Sequence, residues 1–202
     1  MTTAPTAVGR PRDPAVDERV AAAAVAVFGE VGWSGFSIEA VARRAGVGKA
    51  SIYLRWPTKE ELLAAALKLR MAAIDEIDTG SARGDLVDLT RQMVRLYLGN
   101  GGQAFQRLTL DGAQVPQIRE QYDAMTRAQV LAARAIVHRG IHRGELPGST
   151  SVTLLLDALC GGAMVHAIST PADLRAEVAA QAEAYAERLV DFLLGSALSV
   201  AD

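Results

Sequence analysis

The stretch AGVGKASIYLRW, residues 45–56, decides how this 202-residue chain folds. Gly46 and Gly48 interrupt a sequence that is otherwise rich in Ala, Val and Leu, and helical character resumes directly after them. Short helices cannot bury themselves alone, so they need a close partner. The pattern therefore predicts two short helices joined by a tight turn, which is a helix-turn-helix arrangement.

The residues before this stretch predict the two helices that precede the turn. Asp13 is an N-cap followed by Pro14 at the first helical position, and apolar residues then recur at helical spacing until Gly32 supplies a left-handed end. Ser37 caps a second, short helix that ends at Gly46. The chain thus reaches the turn through two capped helices.

The helix after the turn has two distinct faces. Ile52 and Trp56 lie four residues apart and are expected to pack on the first two helices. Lys49 and Tyr53, also four apart, share a different face. That second face is predicted to point outward.

The rest of the chain repeats helical patterns without a fixed period. Thr58 and Glu61 form a capping box for the next helix. The patterns run from Thr58 to about Ile77, from Leu86 to Tyr97, over Phe105–Thr109, from Pro116 to Gly144, from a cap at Ser149 or Thr150 through Ile168, and from Thr170 and Pro171 to Leu193. We therefore expect an all-α protein.

Composition supports this fold class and limits the setting. Half of the residues are apolar and only 5% are aromatic, which favours helices over strands. Cys160 is the only cysteine, so no internal disulfide can form, and no N-terminal segment resembles a signal peptide. The longest apolar run, Val152–Ile168, is shorter than the ~20 residues that a bilayer requires. These features predict a cytoplasmic protein with no membrane partner.

The charge is unevenly distributed along the chain, although only slightly. The net charge of −2 argues against a protein that coats nucleic acid. Eight basic and six acidic residues give the first 60 positions a charge of +2, and 13 basic and 17 acidic residues give the remainder −4. The difference gives weak support to an anionic partner at the N-terminal end.

The segment FSIEAVARRAGVGKASIYLRWPTKEELLAAAL, Phe36–Leu67, resembles the DNA-binding signature of the TetR family of bacterial transcription regulators. The matching features are Ser37-Ile38, Ala42, Ala45-Gly46-Val47, Lys49, Ser51-Ile52-Tyr53, Trp56-Pro57 and Lys59-Glu60-Glu61-Leu62. The resemblance implies an all-helical homodimer with an N-terminal three-helix DNA-binding domain and a larger C-terminal bundle for an effector and the dimer contact. We accordingly divide the chain into a mobile arm over residues 1–12, a DNA-binding domain over 13–57, and an effector-binding and dimerisation domain over 58–202.

Two residues depart from the family's pattern. Leu54 stands where relatives often carry a polar or aromatic side chain that can reach the operator. Glu39 lies on the outward side of the second helix, where a basic residue would favour DNA. Glu39 either accepts hydrogen bonds from cytosine amino groups or stabilises the N-terminus of its helix.

The candidate DNA contacts combine charge, hydroxyl groups and small size. Lys and Arg neutralise phosphates, Ser and Tyr hydroxyls bond phosphate oxygens, and small residues permit close approach to base edges. The alternative is an ordinary solvated helix face. The candidates are Ser37, Lys49, Ala50, Ser51, Tyr53, Arg55 and Lys59.

A second set of residues mixes apolar bulk with a few polar tips, as in the lining of a small-molecule cavity. These pocket candidates, for which simple core packing is the alternative, are Met93, Tyr97, Phe105, Leu108, Tyr122, Met125, Met164 and His166.

The last two helical patterns carry more apolar surface than one protomer needs to cover, which predicts a four-helix dimer contact. The interface candidates are Leu154, Ala158, Gly161, Gly162, Val165, Val178, Ala182, Tyr185, Leu189 and Phe192.

Metal and redox sites are disfavoured. His138 and His142 are four residues apart, but Arg139 and Arg143 flank them and no third ligand is near in sequence. Cys160 lies in an apolar helix, where a thiol is more often a small buried residue than a sensor. We expect no metal and no cofactor.

An enzyme is also disfavoured, because no Gly-rich phosphate loop, Ser/His/Asp set or metal cluster appears. The sequence predicts a one-component transcription regulator, most often a repressor, that binds a palindromic operator as a homodimer and is released by a small-molecule effector. The alternatives are an activator, or a helical ligand- or partner-binding dimer that does not bind DNA.

Overall fold

The computed structural model describes residues 13–70, 77–111 and 116–199. Within these ranges the chain forms ten helices and no strand. The helices are α1 (Pro14–Gly35), α2 (Ile38–Ala45), α3 (Lys49–Tyr53), α4 (Lys59–Arg70), α5 (Ala82–Leu98), α6 (Asn100–Asp111), α7 (Pro116–His142), α8 (Val152–Ile168), α9 (Arg175–Ala180) and α10 (Ala182–Ser199). The predicted all-α class is confirmed. The predicted arm, residues 1–12, lies outside the described residues.

The ends of α1 and the start of α4 follow the predicted local chemistry. The Asp13 carboxylate accepts a hydrogen bond from the Ala15 backbone N–H at 3.0 Å, and Pro14 opens the helix. The regular helix breaks at Gly32, where φ is 66°, and a short helical turn continues to Gly35. Thr58 accepts a hydrogen bond from the Glu61 N–H at 3.2 Å, as its predicted cap requires. The predicted continuation of this helix to about Ile77 passes through residues outside the described ranges.

The helices of the predicted DNA-binding domain share one core with later parts of the chain. Ile52 is buried beside residues of α1 and α2, and Trp56 packs against the same cluster, as predicted. Ala104 and Leu108 of α6 and Ile118 of α7 belong to that cluster too. The first four helices therefore complete their core with α6 and α7.

A second core lies among α5, α7, α8 and α10. Helix α5 packs against both α8 and α10, and the buried side chains between them are aliphatic. Leu86 and Leu89 of α5, Val137 of α7, Leu159 of α8 and Val190 of α10 are fully buried there. This packing forms the C-terminal helical bundle.

Two predicted helix bounds in this bundle are wrong. Ser151 caps α8, rather than Ser149 or Thr150, because the Thr150 N–H bonds Pro147 O at 2.9 Å and closes a turn before the helix.

The predicted last helix, moreover, is two helices. Thr170 does not start it, because its hydroxyl donates to His166 O at 2.7 Å and completes the end of α8. The short helix α9 ends at Ala180. The backbone of the next residue, Gln181, leaves the helical region, and α10 begins directly afterwards.

One carboxylate is fully buried in the second core region. Asp85 accepts hydrogen bonds from the Thr79 backbone N–H at 2.6 Å and the Thr79 hydroxyl at 2.8 Å. Its other oxygen lies 3.0 Å from Arg139 Nη2 and 3.4 Å from Arg143 Nη2. Burial raises the pKa of Asp85, but the hydrogen bonds from Thr79 and the charge of Arg139 outweigh burial and hold it below its ordinary value. Asp85 thereby joins the segment before α5 to the C-terminal end of α7.

None of the helices within the described ranges is both long enough and apolar enough to span a bilayer.

Candidate DNA-binding surface and effector cavity

The turn between α2 and α3 is built by capping chemistry. The Ser37 hydroxyl accepts a hydrogen bond from the Ala40 N–H at 3.2 Å and so starts α2. Gly46 ends α2 with φ of +65°, a conformation that residues with a Cβ rarely adopt. Helix α3 begins at Lys49, after the two turn residues Val47 and Gly48. The predicted helix-turn-helix is therefore present, and Ser37 serves as its first cap.

The exposed face of α3 carries Lys49, Ala50 and Tyr53. Lys49 Nζ lies 3.3 Å from Glu39 Oε1 on α2. Hydrogen bonds from the backbone N–H of Glu39 and from Lys49, with a further one from Tyr53, lower the pKa of the Glu39 carboxyl. Glu39 thus orients the Lys49 and Tyr53 side chains, which remain open to solvent, with Tyr53 44% exposed.

Arg55 points away from this face, contrary to the sequence-based assignment of a DNA contact. Its Nε lies 2.7 Å from Asp17 Oδ1 of α1, and its side chain is only 19% exposed. Its Nη1 also donates to Ser51 O at 2.9 Å and to Ser51 Oγ at 2.7 Å. The arginine therefore ties α3 to α1 and donates to the Ser51 hydroxyl oxygen, so both side chains contribute to the structure of the unit.

Lys59 is also held within the protomer. Its Nζ lies 3.9 Å from the centre of the Trp33 ring and 3.4 Å from both Trp33 O and Phe36 O. The ammonium group therefore fastens the start of α4 to the segment between α1 and α2.

Arg43 is a candidate DNA contact that the sequence analysis missed. It is exposed in the last turn of α2, four residues after Glu39, so it lies on the face that meets Lys49. Neighbouring Arg44 pairs with Glu30 at 2.7 Å, whereas Arg43 has no carboxylate within 4.0 Å among the described residues. Only the three-dimensional pairing distinguishes these two adjacent arginines.

A cavity of about 310 Å³ opens between α5, α6, α7 and α8. Three pocket candidates line it, namely Met93, Tyr97 and Phe105. The Tyr97 and Phe105 rings meet edge to face with centroids 5.4 Å apart, and burial raises the pKa of Tyr97 to about 12, so its hydroxyl stays protonated. The other lining residues, which the sequence analysis did not identify, are Thr126, Gln129, Val130, Ala133, Arg134, Thr153, Leu156, Asp157 and Cys160.

The other five pocket candidates do not line this cavity. Leu108 is buried in the first core, where Tyr122 and Met125 also pack. His166 stacks on Tyr185 with ring centroids 3.8 Å apart, and Met164 packs in a small cluster near the C-terminal end of α8. The helical pattern correctly placed these side chains on inward faces, but they pack in core clusters and do not face the cavity.

The interface candidates fall into exposed, half-buried and buried groups. Leu154 and Phe192 are 71% and 70% exposed, and Ala158 and Val165 are exposed as well. Gly161 is half-buried, and a Cβ placed on it would meet nothing within 4 Å. These residues leave an apolar strip on α8 and α10 open in the single protomer.

The remaining interface candidates contact their own protomer. The Tyr185 hydroxyl donates to Gly162 O at 3.2 Å, and Leu189 and Val178 are half-buried against the bundle cores. Ala182 is fully buried inside the protomer, so its assignment to the interface is wrong. It opens α10 against the small cluster at the end of α8 and cannot reach a partner.

Across the described ranges, no three His, Cys, Asp or Glu side chains gather in an arrangement that could hold a metal ion.

Two family models match this chain. The model described as bacterial regulatory proteins, tetR family, matches residues 20–66, which include α2 and α3. The model described as tetracyclin repressor-like, C-terminal domain, matches residues 76–193 and so covers more than half of the chain.

Individual proteins agree with these matches. The chain is 35% identical over 150 residues to the HTH-type transcriptional regulator AqdR of Rhodococcus erythropolis, covering 74% of this chain and 72% of that protein. It is 43% identical over 68 residues to the DNA-binding transcriptional repressor TetR of Mycobacteroides abscessus, covering 33% and 36% of the two chains. Its fold is similar to that of FadR from Bacillus subtilis, solved in complex with stearoyl-CoA, with a TM-score of 0.61, 19% identity, and coverage of 87% of this chain and 96% of that one.

Proposed function

Because this chain belongs to the TetR family of bacterial regulators, and is therefore a DNA-binding transcriptional regulator and not an enzyme, we propose that it is a repressor. In this proposal it binds a two-fold symmetric operator as a homodimer and leaves the operator when a small molecule fills the cavity. The exposed face of α3, with Lys49 and Tyr53 turned to solvent, is the observation that carries the proposal. The cytoplasm, where the DNA is, is the proposed location.

The repressor role has support from one relative. The M. abscessus protein that is 43% identical over 68 residues carries the description of a transcriptional repressor. A protein that occupies an operator blocks access to the DNA beneath it without further machinery. Repression therefore needs only the DNA-binding surface and a means of release.

DNA contact through α3 would follow the geometry of other helix-turn-helix proteins. The N-terminal part of the second helix enters the major groove, and phosphate contacts fix its position. Lys49 supplies a cation, and Tyr53 supplies a hydroxyl that can bond a phosphate oxygen. Arg43 on α2 is a second available cation, whereas Arg55 and Lys59 support the unit from within.

A homodimer would cover the apolar strip on α8 and α10. A second copy is the proposed occupant because a two-fold symmetric operator needs two identical DNA-binding units. Leu154 and Phe192 would meet the same strip of the partner in an isologous contact. This contact would hold the two α3 helices at the spacing of adjacent major grooves.

The effector would occupy the cavity between α5 and α8. Its volume of about 310 Å³ lies at the small end of the range for ligand pockets, roughly 300–1,000 Å³. Apolar and aromatic groups line it together with a few polar ones, which is the usual composition of such pockets. The complex of FadR with stearoyl-CoA is a precedent for a ligand on this fold.

Helix α6 offers a route from the cavity to the DNA-binding unit. Phe105 of α6 lines the cavity, and its neighbour Ala104 is buried in the core shared with α1. A Cβ on Gly29 of α1 would lie 3.0 Å from Gln103 Cβ and 3.1 Å from Ala104 N, so the two helices are in close contact. Helix α4 contacts both α1 and α7 and provides a parallel connection. A ligand that moves Phe105 would then shift α1 and with it α3.

The test of DNA binding uses a duplex enriched by the full-length protein from a random-sequence library. We expect Lys49→Ala and Tyr53→Ala each to weaken binding of this duplex, because both side chains face solvent on α3. Lys49→Ala should also flatten the slope of log K against log salt by about 1.8 in a dimer, since each phosphate neutralised by a cation contributes about 0.9, whereas Tyr53→Ala removes no charge and should leave the slope unchanged.

Lys68→Ala is the matched control, because it removes the same charge from an exposed site on α4. It should leave the salt slope unchanged, and all three variants should keep the melting temperature of the parent protein. Unaltered affinity in both α3 variants would refute the assigned surface, and failure to enrich any duplex would refute DNA binding altogether.

A further inference from the structure

Leu54 is the most exposed of the large apolar side chains in the described part of the chain, at 85%. It follows α3 directly, and its backbone N–H bonds Ala50 O at 3.1 Å, so the helix fixes its position. Ile52, two residues earlier, supplies the core contact of this helix and is 1% exposed. Leu54 therefore adds nothing to the core and presents nearly its whole side chain to solvent.

The position of Leu54 places it beside the proposed DNA contacts. Ala50 and Leu54 are four residues apart and form one row on the exposed surface, and Lys49 and Tyr53 form the adjacent row. An apolar row of one small and one large side chain thus runs next to a polar row that is suited to phosphates. If the polar row positions α3 in a major groove, the apolar row meets base edges.

An aliphatic side chain has one favourable partner among the base edges of the major groove. Apart from ring C–H edges, which are much smaller than a methyl group, the other groups there are hydrogen-bond donors and acceptors, and covering them with leucine would leave them unsatisfied. The thymine C5 methyl is apolar and projects into the groove. We propose that Leu54 selects thymine in each operator half-site by packing against this methyl group. The inference rests on the proposed function, since it requires that α3 bind operator DNA.

The experiment replaces thymines in the enriched duplex with deoxyuridine, one symmetric pair at a time. Deoxyuridine lacks only the methyl group and keeps every hydrogen-bonding group of thymine. When the symmetric pair of thymines that Leu54 contacts is replaced, the wild-type protein should bind about fifteenfold more weakly than it binds the thymine duplex. Burial of one methyl is worth about fourfold in affinity, or about 0.8 kcal/mol, in each half-site.

Leu54→Ala should bind the thymine duplex more weakly than the wild type and should lose the discrimination at that pair. A double-mutant cycle between the protein and DNA changes isolates the contact. Leu69→Ala, which trims another exposed leucine outside the helix-turn-helix, should keep full discrimination. Because Leu54 is exposed, the melting temperature of Leu54→Ala should equal that of the wild type.

Two results would overturn the inference. Wild-type protein could bind every deoxyuridine duplex as tightly as the thymine duplex. Leu54→Ala could keep the wild-type discrimination, which would assign the methyl contact to another residue; an equal loss of affinity on both duplexes would then indicate that Leu54 packs on deoxyribose. Failure to enrich a duplex would instead refute the proposed function itself.

Discussion

Removing the buried carboxylate of Asp85, in Asp85→Ala, should destabilise the protein far more than removal of an exposed carboxylate. Asp85 is fully buried and pairs with Arg139 of α7 and with Arg143, which directly follows α7, while accepting two hydrogen bonds from Thr79. Without it, two guanidinium groups lose a partner where solvent reaches them only in part. The variant therefore tests whether this carboxylate holds the segment before α5 to the end of α7.

The expected magnitude follows from the surroundings of the two arginines. Removing one partner of a fully buried ion pair costs about 3–5 kcal/mol. Both arginines are partly exposed, and Arg143 keeps Glu145 Oε1 at 2.6 Å, so solvent and this second partner reduce the loss to about 2–3 kcal/mol. A domain of about this size melts roughly 2–4 °C lower for each kcal/mol, so the melting temperature should fall by about 4–12 °C.

The pH dependence of this difference has a definite sign. The pKa of Asp85 in the folded protein lies below its ordinary value of 3.8, so the ionised form stabilises the fold. The stabilisation is fully present above pH 3.8 and is lost as the pH falls through the lower pKa of the folded state. The difference in free energy of unfolding between wild type and Asp85→Ala should therefore stay constant from about pH 7 to pH 5 and decrease only in stronger acid.

Thermal unfolding followed by circular dichroism, at one fixed protein concentration, measures these effects. Asp123→Ala is the matched control, because Asp123 pairs with Arg119 at 3.1 Å on the exposed surface of α7. Such a pair contributes about 0–1 kcal/mol, so the control should melt within a few degrees of the wild type. If the melting temperature of Asp85→Ala fell no further than that of Asp123→Ala, the stabilising role of the buried carboxylate would be refuted.

Two further predictions concern the proposed dimer and the cavity. Phe192→Glu should shift the protein towards monomer in sedimentation, because it would bury an unpaired charge in the proposed interface, whereas Leu131→Glu, at an exposed apolar residue of α7, should leave the assembly unchanged; a wild type that sediments as a monomer would contradict the dimer. Burial raises the pKa of the Cys160 thiol from 9.0 to about 11, which lowers its thiolate fraction at pH 8 by roughly 100-fold, so iodoacetamide should alkylate it at least about tenfold more slowly than an unperturbed thiol once the greater nucleophilicity of the more basic thiolate is included, and rapid modification would show that the thiol is more accessible than the structure indicates.

The helix-turn-helix could be predicted from the sequence because local chemistry determines it. Ser37 caps α2 by bonding a backbone N–H three residues away, and Gly46 ends the helix by its own backbone preference. Thr58 likewise caps α4 through Glu61, three residues later. Interactions of such short range are visible in a sequence without knowledge of the fold.

The roles of the basic residues could not be predicted in the same way. Arg55 pairs with Asp17 on α1, and Lys59 lies over the Trp33 ring 26 residues earlier. Nothing within a few residues of either side chain indicates these partners. Composition and helical position marked both as surface cations, whereas tertiary packing placed them inside the DNA-binding unit and left Arg43 exposed.

The cavity shows the same limit for a different reason. Aromatic and methionine side chains indicate candidate pockets, and three residues selected by this criterion, Met93, Tyr97 and Phe105, line the cavity. It also selected Leu108, which fills the core instead. Polar residues such as Gln129 do not stand out on a helix, because most polar side chains there face solvent. Their proximity to the cavity depends on the angle at which α7 crosses α5.

The boundary predicted at residue 57 separates two sequence patterns, but the packing continues across it. Ala104, Leu108 and Ile118 lie far beyond that boundary and are nevertheless buried in the same cluster as Phe28 and Ile52. Packed cores respond to displacement by shifting as units, because interiors have few voids that can absorb a local change. Phe105 lines the cavity and also packs against this cluster, so a ligand that displaces Phe105 would move α6, and the helices of the proposed DNA-binding unit would share in the movement. Linkage makes the proposed effect reciprocal. If the ligand weakens DNA binding by some factor, DNA that holds those helices in place must weaken ligand binding by the same factor.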